Sequence, residues 1–265
     1  MCDGWGEVGP SVDGRGGGAR ARAPRPRRDA GTPAAERLRS IAFISPKGGA
    51  GKTTASLLAA LGLVERGCRV AMIDSDPNKP LAHWAELPGC PERLSVHPAP
   101  TMYDFADARR EAARAEPDWI ILDTEGSERG AMAFMALRPD LVLTPLAGSQ
   151  LEANQAIKAA EMVRAFGQRG GKPLPHRCLL TRIPAAIRPR SLKAVVEQLR
   201  AKGIEILPTA LLEKEAFRAL FSTGGGFQAL EAAGVGGVSA ARANAEAYLH
   251  ALLELLDTPA PATQG

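Results

Sequence analysis

From Ile41 onward the chain alternates short, fully apolar runs with segments of helical period. The runs SIAFIS, RVAMID, RLSVHP, DWIILD, DLVLTPL, RCLLTRI and IEILP read as strands. Between them, 53–66, 103–115, 149–168 and 190–202 read as helices, and further helices follow to about Leu256. In the segment 190–202, Leu192, Val195, Val196 and Leu199 fall on one face at helical spacing. Strands without polar alternation are those buried on both sides, and strands that alternate with helices build βαβ units. The expected fold is α/β: a mostly parallel, twisted sheet with helices on both faces.

Residues 1–38 break this pattern. They are rich in Gly, Pro, Ala and Arg and show no hydrophobic period, with Arg15, Arg20, Arg22, Arg25, Arg27 and Arg28 making them basic. Such a segment buries too little surface to offset its ordering entropy, so it is expected to be a disordered tail. The folded domain is expected over 39–257, with 258–265 as a flexible tail. The formal charge of +4 and pI of about 9.0 permit nucleic-acid binding without requiring it. The four cysteines, Cys2, Cys68, Cys90 and Cys178, form no CxxC pair. Their spacing indicates neither a zinc site nor a disulfide framework, and Cys68 and Cys178 are expected as buried thiols. No apolar run of about 18 residues is present, and the arginines near the N-terminus are not followed by an apolar core. A cytoplasmic protein is expected.

Chemistry concentrates between the first strand and the first helix, in PKGGAGKTT at 46–54. A glycine-rich loop that follows a strand and opens a helix can turn its backbone N–H groups toward phosphate oxygens, and the helix dipole favours the anion. The nucleotide-binding set is therefore expected to be Lys47, Gly48, Gly49, Ala50, Gly51, Lys52, Thr53 and Thr54. Lys52 would reach the β and γ phosphates, and the Thr53 hydroxyl would ligate Mg2+. The pattern G-x-x-x-x-G-K-[ST] is not met, because Pro46 stands in place of its first glycine. Carboxylates at the ends of the next strands, Asp74, Asp76 and Asp123, would lie around the loop, since ligands in open α/β sheets sit at the carboxyl ends of strands.

The run KGGAGKTT resembles the deviant Walker A motif of the ParA/MinD ATPases, P-loop proteins of the SIMIBI class. IDSDPNKPLAHW resembles the second motif of that family, and IILDTEGS its Walker B and switch region. The likeness runs from Ser40 to about Leu256 and is most similar to the ParA-like branch of the Agrobacterium virulence C operon, which assists DNA transfer. KEAF near residue 214 also fits that branch. The resemblance implies a slow, partner-stimulated ATP hydrolase with ATP and Mg2+ as cofactors. It implies a homodimer that sandwiches ATP, with Lys47 crossing to the nucleotide of the partner subunit. Lys47, Lys52 and Asp76 are the implied catalytic residues, Asp76 positioning the attacking water. Thr53, Asp74 and Asp123 are the implied metal set, with Asp123 acting through a water. The switch reads D-T-E-G where many relatives have proline after the threonine, so Glu125 adds a negative charge there.

The implied function is to position or segregate a cargo (a plasmid, chromosome, conjugative complex or protein cluster) while bound non-specifically to DNA, with a ParB-like or cargo adaptor as activator. A nucleoid association follows. Arg188, Arg190, Lys193 and Arg200 form the candidate DNA stripe, on the side of 190–202 opposite its apolar face, although Glu197 shares that side. The arginine that partition proteins often carry after the last strand's proline is replaced by Thr209. Two alternatives stand beside this reading. One is a slow nucleotide switch acting as a DNA-transfer accessory. The other is a membrane-positioning ATPase of MinD type. The C-terminal stretch has an apolar face but no Lys or Arg after Arg242. An anionic bilayer would repel it, so it is expected to dock on the core and no membrane partner is expected.

Overall fold

A computed structural model describes residues 38–46, 48–126, 136–185 and 190–257, the side chains of Arg190 and Ser191 excepted. Of the expected tails, 1–38 and 258–265, all but Leu38 lie outside the described residues, as do Lys47 and Arg188.

The strands are β1 (Arg39–Phe43), β2 (Val70–Asp74), β3 (Leu94–Pro98), β4 (Trp119–Asp123), β5 (Leu141–Leu146) and β6 (His176–Leu180). They form one sheet in the order β3-β2-β4-β1-β5-β6, and every pairing is parallel. The helices are α1 (Lys52–Glu65), α2 (Pro80–Glu86), α3 (Met102–Arg114), α4 (Gln150–Arg169), α5 (Arg190–Ala201), α6 (Glu215–Thr223), α7 (Phe227–Ala232) and α8 (Val238–Asp257). The expected α/β class is thus observed, with helices on both faces.

Alternation along the strands divides the core. Ile41, Phe43, Val70, Met72 and Ile121 pack on one side with α1 and α8. Ala42, Ile44, Ile73, Ile120 and Leu122 pack on the other with Phe105 of α3 and Val163 of α4. A third cluster joins Ala156 and Ala160 of α4 to Cys178, Val195 and Leu199. Cys178 is buried as expected, whereas Cys68 is half-buried. Helices α3 and α4 start with capping boxes, Thr101 with Asp104 and Ser149 with Glu152. Each satisfies amides that the first turn leaves open.

The C-terminal helix docks on the core, as expected, through Ala241, Ala245, Tyr248, Leu249 and Leu252. It approaches α1 closely at Gly62, where an added Cβ would stand 2.6 Å from Cδ2 of Leu249. Among the described residues no helix is long and apolar enough to cross a membrane.

Two features differ from the sequence reading. Helix α2 is not among the expected elements; it starts at Pro80, directly after Lys79 in a left-handed turn (φ 50°). The run IEILP is not a regular strand. Its ladder to β6 opens with Cys178 N–H donating to Glu205 and Leu207 N–H donating to Cys178. It resumes only where Leu211 N–H donates to Leu180. Pro208 falls in the gap.

Candidate functional site

The register brings the candidate carboxylates together. Asp123 at the end of β4 pairs with Asp74 of β2 on one side and Phe43 of β1 on the other. Alternation with Met72 and Ile121 turns both acidic side chains to the α1 face. The glycine loop leaves β1 beside them and enters α1.

Gly49 (φ 82°) and Gly51 (φ 83°) take left-handed backbone, and Gly51 is the N-cap of α1. Side chains rarely adopt that conformation, so both positions favour glycine. At Gly51 a Cβ would also lie 3.3 Å from the Thr181 side chain. No side chain caps α1 and its first turn holds no acidic residue. Its leading amides and the positive end of its dipole therefore face the loop. The loop is braced from the far end of β6: Thr181 Oγ1 donates to Ala50 O at 2.8 Å, and Arg182 Nη1 donates to Gly49 O at 3.0 Å.

These residues border a cavity of about 360 Å3. Lys52, Thr53, Thr54 and Asp76 line one part of it, and Leu211, Leu212 and Phe217 another. Lys52 is buried, and burial lowers its pKa against the opposing pull of Asp123, Asp76 and Glu125. Glu125, the departure in the switch, thus acts on the loop lysine directly.

The two strand-end carboxylates differ in their surroundings. Asp123 is fully buried, and neither oxygen has a hydrogen-bond partner of ordinary geometry. Burial pushes its pKa up to about 7, Asp74 and Asp76 add to the rise, and the nearby Thr53 hydroxyl and Lys52 oppose it. Asp74 is equally inaccessible but well bonded. Its Oδ2 accepts from Leu81 N–H at 2.9 Å and Ala82 N–H at 3.2 Å, and its Oδ1 accepts from Asp76 N–H at 3.2 Å. Burial still raises its pKa. Its oxygens are turned to the start of α2, where they satisfy leading amides. Asp76 is partly exposed on the cavity wall, with Oδ1 accepting from the Asn78 backbone N–H at 2.9 Å and from Asn78 Nδ2 at 3.0 Å.

Sequence reading missed Thr181, Arg182 and the wall at 211–217. Thr181 and Arg182 stand just past the carboxyl end of β6, a position where open α/β sheets place ligand contacts, and that position was the available signal. The wall arrives from a distant part of the chain, and the KEAF run at 214–217, noted in the sequence only as a branch feature, belongs to it.

The candidate DNA stripe is partly described. Lys193 and Arg200 are exposed on α5, but Lys193 is paired with Glu197 at 3.8 Å. Arg188 and the Arg190 side chain lie outside the described residues.

The family model of the VirC1 protein matches residues 38–258. Protein ParA of Rhizobium radiobacter is 27% identical over 216 residues, covering 82% of this chain and 96% of that protein. Among solved structures, an ATP complex of an aspartate-to-alanine variant of McdA from Cyanothece superposes with a TM-score of 0.63. It is 16% identical and covers 81% of this chain and 96% of its own. The septum site-determining protein MinD of Pyrococcus horikoshii with Mg-ADP gives a TM-score of 0.57 at 17% identity, covering 84% of this chain and 100% of its own. At such identities the structural likeness concerns the fold, which is that of the ParA/MinD-type P-loop proteins.

Proposed function

Since the chain belongs to the VirC1 protein family, we propose that it is a Mg2+-dependent ATPase that dimerises around ATP and associates with DNA to position a cargo. The observation that carries this reading is the pairing of an open phosphate loop with a fully buried Asp123 that has no hydrogen-bond partner of ordinary geometry and only the nearby Thr53 hydroxyl and Lys52 to offset its burial. A buried carboxylate without hydrogen bonds is costly unless a ligand completes it.

The residues present fit Mg2+. This cation needs one or two protein oxygens beside the phosphates, not a cage of acidic side chains. Thr53 and Asp123 supply those oxygens. Mg2+, when bound, neutralises charge on the β and γ phosphates. The chain's own groups do the rest. The loop amides and the N-terminus of α1 hold the phosphates, and Lys52 brings a buried positive charge to them. Asp76 accepts a hydrogen bond from the attacking water and orients it. Lys47 reaches the phosphates held by a second copy of the chain, so the dimer depends on the charge of the γ phosphate. A full switch from about 1% to 99% dimer requires ATP to favour the dimer by roughly 5.5 kcal/mol. Exposed apolar side chains at the carboxyl rim of the sheet, Tyr103 at the start of α3 and Leu151 at the start of α4, support a face that meets another chain. A ParB-like or adaptor protein accelerates hydrolysis and dissolves the dimer.

Two measurements test the parts. Lys47→Ala is expected to retain ATP binding and lose the ATP-dependent dimer in light scattering; an unchanged dimer removes the role across the interface. DNA of unrelated sequences is expected to bind with ATP, weakly with ADP, and with strong salt dependence. Changing Arg188, Arg190 and Lys193 together is expected to lower the salt slope by about 0.9 for each phosphate that is no longer neutralised. An unaltered slope would place the DNA surface elsewhere, and binding indifferent to nucleotide would remove the switch.

A further inference from the structure

The wall of the cavity opposite the phosphate loop is an irregular strand with an open edge. Leu211 pairs with β6, donating its N–H to Leu180 O at 2.8 Å and accepting from Ile183 N–H at 3.2 Å. The adjoining peptide groups point the other way, so Ala210 O and Leu212 N–H face away from β6. One side chain meets both. Leu212 N–H donates to Asn244 Oδ1 at 2.8 Å, and Asn244 Nδ2 donates to Ala210 O at 2.9 Å. A primary amide carries the same acceptor and donor as a peptide group, so Asn244 stands where a further strand would pair. These partners also fix which way its amide points, because an N–H needs the oxygen and a carbonyl needs the NH2.

Asn244 lies on α8, well away from the loop in sequence, yet its contacts set the two residues that border the cavity. Leu211 and Leu212 line it together with Phe217 of α6. The loop and Lys52 occupy the phosphate side. Leu211, Leu212 and Phe217 give this wall an apolar part that suits the flat face of a nucleoside, with Glu213, Lys214 and Arg218 lining the cavity beside it.

We propose that Asn244 is a positioning residue for nucleotide recognition, holding the apolar wall against which the nucleoside end of the ligand rests. The inference rests on the reading of this cavity as an ATP site. It also links the C-terminal helix to ligand affinity, since the same helix packs on α1 at Gly62, and α1 begins at Lys52.

Calorimetric titration of the full chain with ATP and, separately, with inorganic tripolyphosphate tests it. Asn244→Ala leaves a backbone donor and acceptor unsatisfied and is expected to weaken ATP roughly five- to tenfold. Tripolyphosphate, which has no nucleoside to rest on Leu211 and Leu212, is expected to bind as tightly as before. A purely structural role would weaken both ligands alike, and that result overturns the proposal. So does ATP affinity that the substitution leaves intact. Should Asn244→Ala not fold, Asn244→Asp preserves shape and the acceptor for Leu212 while setting an oxygen against Ala210 O. The same split between the two ligands is expected of it, and its absence is decisive. If the unaltered chain binds no ATP, the nucleotide reading falls and this inference with it. Intact ATP binding in the variants overturns this inference alone.

Discussion

Lys52→Ala is expected to lower ATP affinity by about a hundredfold or more and to remove hydrolysis. The side chain is 6% exposed and its pKa is lowered by burial. Asp123, Asp76 and Glu125 act in the opposite direction and favour its charged form. A cation held there meets a polyphosphate in a partly dehydrated cavity. One charge pair at about 4 Å is worth on the order of 4 kcal/mol at an effective dielectric constant near 20, which exceeds two decades in affinity. The substitution also leaves three carboxylates around the loop without this cation, so a lower melting temperature without nucleotide is expected as well. Titration with ATP alongside thermal unfolding separates the two effects. Near-normal ATP affinity in a folded variant would sink the loop assignment.

Asp123→Asn is expected to act in opposite senses on stability and on turnover. Burial raises the Asp123 pKa from 3.8 to about 7 in the nucleotide-free fold. The native chain therefore holds a proton that the unfolded chain releases. The stability from this group is full below about pH 4 and is lost as the pH rises through about 7. Above that, the buried charge costs on the order of a few kcal/mol. Asparagine has nearly the same shape and no charge, so the variant is expected to unfold at a higher temperature near pH 8 and to show a flatter pH profile. The same change withdraws the anionic oxygen proposed for Mg2+, and ATP turnover is expected to fall by at least about a hundredfold. Thermal unfolding at several pH values without nucleotide, paired with a turnover assay, reads both. A variant no more stable than the parent at pH 8 would mean that water or a neighbour already satisfies Asp123.

Much of this architecture was visible in the apolar runs. β1, β2, β4 and β5 declare themselves because they are buried almost throughout, whereas the edge strands β3 and β6 are only partly buried. The loop was legible because Gly49 and Gly51 supply the left-handed backbone that a phosphate cradle needs, and Lys52 follows at once. Other features depend on partners that no local pattern reveals. Helix α2 is seven residues long, too short for a hydrophobic period, and it follows turn-forming residues. IEILP looks like the other strands, but past Leu207 the ladder to β6 skips to Leu211. Asp74 and Asp123 look alike at the ends of apolar strands. Only folding decides that one meets three backbone amides and the other meets none. Asn244 carries no mark in the sequence, since its two partners lie more than 30 residues away.

The strand order has a consequence for synthesis. β1 carries the phosphate loop, yet its neighbours are β4 and β5, with Ile41 paired to Ile121 on one side and to Leu141 on the other. The loop leaves the ribosome long before either neighbour exists. At about 5–20 residues per second, the interval from Ile41 to Leu141 lasts roughly 5–20 s. During that time β1 is an apolar strand with both edges bare, and the glycines beyond it have nothing to hold them in shape. The loop gains its two flanking strands only once translation has passed β5 and its Thr181 and Arg182 braces only after β6, so chaperones that shield bare strands have a defined interval in which to act.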